Sequence, residues 1–409
     1  MAHYQLKNYK KYIIMLTQIE LSSELISPRV FNTRNRLNAN KKWINYGEDN
    51  ILPQGIIYLL ENSTTIAAIV NKIAQDVSGF GITIVGDQTN KYNSQLPLFK
   101  EWLAGLSYDR GISGLLYKLA YDLAAFGGFT TLVQFTPGTT LVRDIIYQDF
   151  SQVRRGFKYT DDLYNQILYI NPHWEDSFTG ITNSNFLNNT IEYPLLTKEM
   201  LENGSDETAI DYYFRSTAGR EWYPLPHWWS AYRPILSEIY ANQYIQSQFQ
   251  NGFFPGGILE IPATLSEEQE RELKMQLTEG LKGVANAGKA LVLKKIGESA
   301  VNYIPLVQNT LNVEGITALL LENKQQIITA AGMSSKTLIG LEGGASLGGD
   351  GGTIETAAEE FHYKIVLPIR MEIINRLQRL FKAAGYEATI DVRDDYHESL
   401  KPIENKPTL

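Results

Sequence analysis

Along this chain the spacing of apolar residues switches between two periods, and the switches mark the elements. After Leu52-Pro53, residues Ile56, Leu59, Leu60, Ile66, Ile69, Val70, Ile73 and Val77 recur every three or four positions, which predicts helix, and Gly79-Phe80-Gly81 ends the run. Ile82, Ile84 and Val85 then predict a strand, 86–90 a polar turn, and 115–126 a second helical stretch stopped by Gly127-Gly128. Two β-rich runs, 130–135 and 141–146, flank Thr136-Pro137-Gly138-Thr139, the composition of a hairpin connection. Residues 164–223 are rich in Tyr, Asn and Thr with weak periodicity, so short strands and long loops are expected there.

The second half reads differently. A long helix is expected over about 230–253, with Ile235, Ile239, Phe249 and Phe253 on one stripe and six amides (Asn242, Gln243, Gln246, Gln248, Gln250, Asn251) near its end. Such an amide face is either a solvated surface or one that packs laterally against copies of the same helix. Glycine and proline at 251–257 break it, and a small β-α-β-β insertion follows over 255–306. Its helix opens at Ser266-Glu267-Glu268-Gln269, the spacing of a capping box, and strands are expected at 258–261, 290–293 and 301–306. A second long helix covers 313–331. Residues 340–352 then hold seven glycines in thirteen positions, a backbone with many conformations and little to bury. The last long helix, 355–381, carries an apolar stripe from Ala358 to Leu380, and Pro368 in its middle is expected to kink it, since its ring clashes with the carbonyl of Lys364.

Composition narrows the picture. At 409 residues the chain has room for two to four folding units, and it has no cysteine, so thiolate metal sites and disulfides are excluded. No apolar run approaches the roughly 20 residues of a membrane helix, so a soluble protein is expected. The net charge of −8 is uneven: residues 1–46 hold eight Lys/Arg against Glu20 and Glu24, which leaves 29 basic and 43 acidic residues, a net −14, for the remainder. That basic arm is either a solvated tail or a docking segment. A body this acidic is not built for tight phosphate binding, which needs clustered cations.

Catalytic chemistry has little to stand on, and no catalytic, cofactor or metal residues are assigned. Gly332-Met333-Ser334-Ser335-Lys336-Thr337 ends like a phosphate-binding loop, but Ala330 and Ser335 occupy the positions that need glycine. The glycine tract follows a helix instead of a strand and lacks fingerprint spacing. The five histidines (His3, His173, His227, His362, His397) form no ligand pair, and no G-x-S-x-G elbow occurs. Asp391, Asp394 and Asp395 are the densest carboxylates, either a hard-cation group or a solvated segment.

The order helix, small β-α-β insertion, helix, glycine-rich loop, kinked helix resembles the stem, clip, stem, tunnel loop and tunnel helix of tailed-bacteriophage portal proteins. The local residues that carry the resemblance are Gly47-Glu48-Asp49-Asn50-Ile51-Leu52-Pro53 at the opening of the wing, 122–127, and 145 onwards to Val153-Arg154-Arg155. Further along they are 251–257, Asn286-Ala287-Gly288-Lys289 and 328–340. The resemblance implies an α+β portal fold with a basic arm (1–46), wing (47–228), first stem helix (229–254), clip (255–310), second stem helix (311–333), tunnel-loop region (334–354), kinked tunnel helix (355–384), and a C-terminal wing strand and tail (385–409). The crown is short or absent, and many relatives carry proline where this chain has Ser334-Ser335-Lys336. It further implies a DNA-channel loop of Gly340, Glu342, Gly343, Gly344, Ser346, Gly348, Gly349, Asp350 and Gly351, a helix kink at Pro368, and a clip containing Pro255, Asn286, Gly288 and Lys289.

In function, the resemblance implies a non-enzymatic ring, a dodecamer, at one capsid vertex, assembled in the host cytoplasm and carried in the virion. Its expected partners are double-stranded DNA passing through the channel, the terminase large subunit, the major capsid protein and a head-tail adaptor or neck protein, with no membrane and no cofactor. The charge balance agrees with a conduit, because 230–336 holds nine Lys/Arg and ten Asp/Glu and offers DNA no deep electrostatic well. Two other readings stand beside it: another head or neck structural protein, which would lack the helix-bracketed clip, and a nucleotide-dependent enzyme using the Lys336 region.

Overall fold

A computed structural model describes residues 33, 42–85, 90–156, 167–177, 189–251, 257–260, 268, 271, 302–305, 313–334, 336–339 and 351–393. In chain order the elements are α1 (Leu52–Asn62), α2 (Thr64–Ser78), β1 (Ile82–Val85), α3 (Asn90–Asp109), α4 (Gly111–Phe126), β2 (Gly128–Phe135), β3 (Val142–Gln148), β4 (Val153–Arg155), β5 (Ile167–Ile170) and β6 (Ile191–Pro194). They continue with α5 (Lys198–Asn203), β7 (Ala209–Phe214), α6 (Tyr232–Asn251), β8 (Gly257–Glu260), β9 (Asn302–Pro305), α7 (Val313–Ala330), α8 (Gly351–Phe361), α9 (Leu367–Ala383) and β10 (Thr389–Val392). The chain divides into a larger unit, Met1–Ser230 with Ile328–Leu409, and a smaller one, Ala231–Ile327.

In the larger unit three short antiparallel sheets share a helical cover. The expected hairpin forms, with β2 paired to β3 from Thr130↔Gln148 to Phe135↔Val142 and a bulge at Gln134/Phe135. On its other edge β2 pairs with β7, giving the order β3-β2-β7. A second sheet runs β4-β5-β6, and β1 pairs with the distant β10, Ile82 opposite Val392. Buried Ile66, Ile69, Val70 and Ile73 on α2 meet Leu115, Leu116 and Leu119 on α4, and the stripe Ile369, Ile373, Leu377, Leu380 of α9 closes the core.

Three local features depart from the sequence reading. The run 52–77 is two helices, because Ser63 leaves helical geometry and its Oγ caps α2 by accepting from the Ile66 N–H (3.4 Å). The region between the polar turn and 115 is helical too. α3 went unread because its mean pattern is weak and Pro97 sits inside it, yet Phe99 and Trp102 dock on Phe381 and Tyr386 with ring centroids 4.7–5.8 Å apart. The last helix begins at Gly351, four residues before the expected start at 355. It is not continuous: His362–Val366 form a π-helical turn, after which α9 starts with Pro368 in its first turn. The wider turn lies where the proline ring would otherwise meet the carbonyl of Lys364, so the defect takes the form of a π bulge.

The glycine that ends α2 has a steric reason. Gly79 adopts φ +59°, and a Cβ there would lie 2.4 Å from Val392 Cγ1 and 2.7 Å from the Arg393 carbonyl oxygen. Only glycine lets the chain turn against β10 at that point.

In the smaller unit β8 and β9 form an antiparallel pair, Gly257↔Pro305 to Glu260↔Asn302, which brings together chain positions more than forty residues apart. α6 and α7 flank that stretch in sequence. Apart from 268 and 271, which are helical, the remainder of the expected insertion lies outside the described residues.

Candidate assembly and channel elements

The two segments quoted for the wing, 47–53 and 153–155, meet in space around one buried cation. Asn50 takes φ 67°, a left-handed conformation that asparagine tolerates better than most residues, and this turns its side chain back along the chain. Its Oδ1 accepts from the Tyr46 N–H (3.0 Å) and from Arg154 Nε (2.7 Å). The remaining Arg154 donors reach carbonyls of Ser151 (2.7 Å), Val153 (3.0 Å) and Asn50 (2.9 Å). Arg154 is fully buried, its guanidinium lies 4.9 Å from the Trp174 ring centroid and 5.7 Å from that of Tyr46, and burial pulls its pKa down to about 10. Stacked Tyr46 and Tyr223 (4.2 Å) complete the knot: the Tyr46 hydroxyl donates to the Pro224 carbonyl, and that of Tyr223 to Ile44 while accepting from the Arg155 N–H.

Asp122, from the quoted 122–127 stretch, is buried beside this knot. Its carboxylate accepts from the Tyr147 hydroxyl (3.1 Å) and the Phe150 N–H (3.2 Å), joining α4 to the end of the β3 strand. Burial, and then the nearby Asp149 carboxylate, raises its pKa well above the ordinary Asp value.

A second set of ion pairs fastens α9. On β7 and the residue after it, Asp211, Tyr213 and Arg215 share one face because strand side chains alternate; on α9, Glu372 and Arg376 share a face because helical side chains repeat every four. Arg215 grips Glu372 with two bonds (2.9 and 3.0 Å), and Tyr213 donates to the same carboxylate (3.1 Å). Arg376 Nε reaches both oxygens of buried Asp211 (2.8 and 3.0 Å). On the opposite side of the helix, buried Arg370 donates to the carbonyls of Val77 (3.0 Å) and Asp76 (2.6 Å), the last turn of α2. α9 is thus held at several points to the rest of the larger unit.

Of the residues assigned to the channel loop, Gly351 is the first residue of α8, and Gly340, Glu342, Gly343, Gly344, Ser346, Gly348, Gly349 and Asp350 lie outside the described residues. The clip residues Pro255, Asn286, Gly288 and Lys289 lie outside them as well. Pro368 is exposed at the start of α9. Asp391 is exposed on β10, and Asp394 and Asp395 are outside the described residues. Among the described residues no group of three or more His, Cys, Asp or Glu could hold a metal ion, and no helix is long and apolar enough to cross a membrane. The smaller unit shows apolar residues to water: Tyr240 and Tyr244 one turn apart on α6, and Leu319 and Leu321 on α7, are 44–55% exposed.

Taken separately, the larger unit is α+β and the smaller combines long helices with a small sheet, and the fold is shared with solved chains of gene transfer agent particles. It matches a chain from the virion of the native gene transfer agent particle, with TM-score 0.51 and 14% identity over 90% of this chain and 88% of that one. A chain from the neck of the empty particle, computed with C6 symmetry, gives TM-score 0.52 and 14% identity over 84% of each chain. An HK97 family phage portal protein from Corynebacterium diphtheriae matches at TM-score 0.47 and 11% identity, over 84% of this chain and 98% of that one. No curated protein sequence matches. The phage portal protein family model matches residues 230–401.

Proposed function

We propose that the chain is one subunit of a portal: a closed homo-oligomeric ring at a single capsid vertex, through which double-stranded DNA enters during packaging and leaves at ejection. The family match over 230–401 carries this reading. The matched stretch includes the helices and the glycine tract for which sequence reasoning assigned stem, clip and tunnel roles. In this reading Gly340, Glu342, Gly343, Gly344, Ser346, Gly348, Gly349, Asp350 and Gly351 form the loop that faces DNA, and the clip around Asn286, Gly288 and Lys289 meets the terminase large subunit and later a head-tail adaptor. The larger unit meets the major capsid protein.

Heterologous contacts between identical subunits close into a ring when their rotation closes, and twelve is the number the resemblance implies. The exposed tyrosines of α6 and leucines of α7 supply apolar surface for such contacts. The subunit performs no bond chemistry, so the energy of packaging comes from a separate motor. Light scattering and negative-stain imaging of the purified chain test the proposal: rings with a central hole are expected, and a uniform monomer at micromolar concentration and moderate salt would overturn it. Deleting 345–349 should leave rings intact while heads fail to package or retain DNA.

A further inference from the structure

The larger unit contains a cavity of about 480 Å³ between β1, α3 and the start of α4, lined by none of the elements assigned to ring and channel. Its floor is apolar, formed by Ile82, Ile84, Leu96, Leu103 and Ile112. Three cations, Lys100, Arg110 and Arg393, also line it, and no acidic side chain does so among the described residues. All three are exposed, and none forms an ion pair with a described residue.

The backbone adds to the same field. α4 begins at Gly111 with no side-chain cap on its first turn, and Gly111, Ile112 and Ser113 line the cavity. The free N–H groups of a helix start favour an oxyanion.

We infer that this cavity is a docking site for an acidic peptide segment of a partner protein, an apolar side chain entering the floor while flanking carboxylates pair with Lys100, Arg110 and Arg393. Guanidinium groups bind carboxylates through paired N–H donors, and an apolar floor of this volume suits a side chain. Duplex DNA fits less well. Its phosphates lie on a convex ridge too broad to enter such a cavity, and tight binding needs many of them neutralised by a body that is itself acidic. The inference goes beyond the portal reading, which places DNA in the channel and gives this cavity no role.

Fluorescence anisotropy with a labelled acetyl-Glu-Glu-Leu-Phe-Glu-Glu-amide probe and the full chain tests it. Saturable binding in the micromolar range is expected, weakening as salt rises, with no binding of the matching lysine peptide. Arg110→Glu combined with Arg393→Glu should weaken it at least about tenfold, and so should Lys100→Glu alone, which guards against a double variant that fails to fold. Lys198→Glu, on α5 and outside the cavity, should leave it unchanged. No saturable binding, binding indifferent to the reversals, or a short DNA duplex binding in place of the peptide with the same dependence on Arg110 and Arg393 would overturn the inference. Light scattering on the same samples separates the two readings. Rings that ignore the peptide sink only the docking site, and monomers that bind it sink only the portal.

Discussion

The two units differ in how densely they bind polar groups inside. The larger unit takes charges inside and ties each to fixed partners: Arg154 to three carbonyls and Asn50, Asp211 to Arg376, Arg370 to the end of α2, Asp122 to Tyr147 and Phe150. The smaller unit buries Glu238 and Asn323 but holds few charges in its long helices, and it leaves tyrosines and leucines facing water. A buried charge that is fully hydrogen-bonded is costly to move, so it fixes one arrangement of the elements around it. An exposed apolar stripe fixes nothing within a subunit and gains only when another surface covers it. The larger unit is thereby fixed from within, and in the proposed ring the apolar residues of the smaller one are covered by neighbouring subunits.

The largest test of that contrast is Arg154→Met. It removes the guanidinium that donates to the Ser151 and Val153 carbonyls while roughly keeping volume, and should cost about 3 kcal/mol or more of stability in chemical denaturation. A loss under about 1 kcal/mol would mean the knot is ornamental. Arg376→Ala comes next, because it strands Asp211, only 1% exposed, without its cation; a loss of about 2–4 kcal/mol is expected, and Arg376→Lys should restore only part of it, lacking the planar fork.

Asp122 gives a pH signature. Because its folded-state pKa is raised above the ordinary 3.8, the folded chain holds that proton more tightly than the unfolded chain. Its stabilisation is complete below the unfolded pKa and is lost as pH rises through the folded one. Asp122→Asn should therefore gain stability relative to the parent as pH is raised from about 4 towards neutrality, as read by thermal melting at each pH. A constant difference across that range would show that the carboxylate titrates alike in both states. The smallest effect on the subunit is expected from Tyr240→Glu with Tyr244→Glu, within about 0.5 kcal/mol because both are exposed, although ring assembly should be lost. Intact rings from that variant would remove α6 from the proposed contact.

Much of the architecture was written in local pattern. The hairpin around Pro137-Gly138, the long helices α6 and α7, and the interruption near Pro368 all follow from spacing, turn chemistry and a missing N–H, which act between neighbours in sequence. What escaped were features whose cause is distant. α3 has too weak a stripe to be read alone and owes its place to an aromatic cluster with Phe381 and Tyr386, nearly 300 residues on. Of the candidate site, the quoted segments 47–53 and 153–155 were legible as motifs, but nothing in either says that one arginine is buried between them.

By itself, the sequence determined most of the element types, though not α3, together with the excess of acid in the body and the near-neutral helices, because propensity, periodicity and net charge are sums over local choices. Only the tertiary structure decided that Asn50 and Arg154 share one buried network, that β1 pairs with β10, and that Lys100, Arg110 and Arg393 line one cavity. Each of those depends on bringing together residues from about 10 to more than 300 positions apart, and burial then gives a hydrogen bond or a charge a strength that no window of sequence can report.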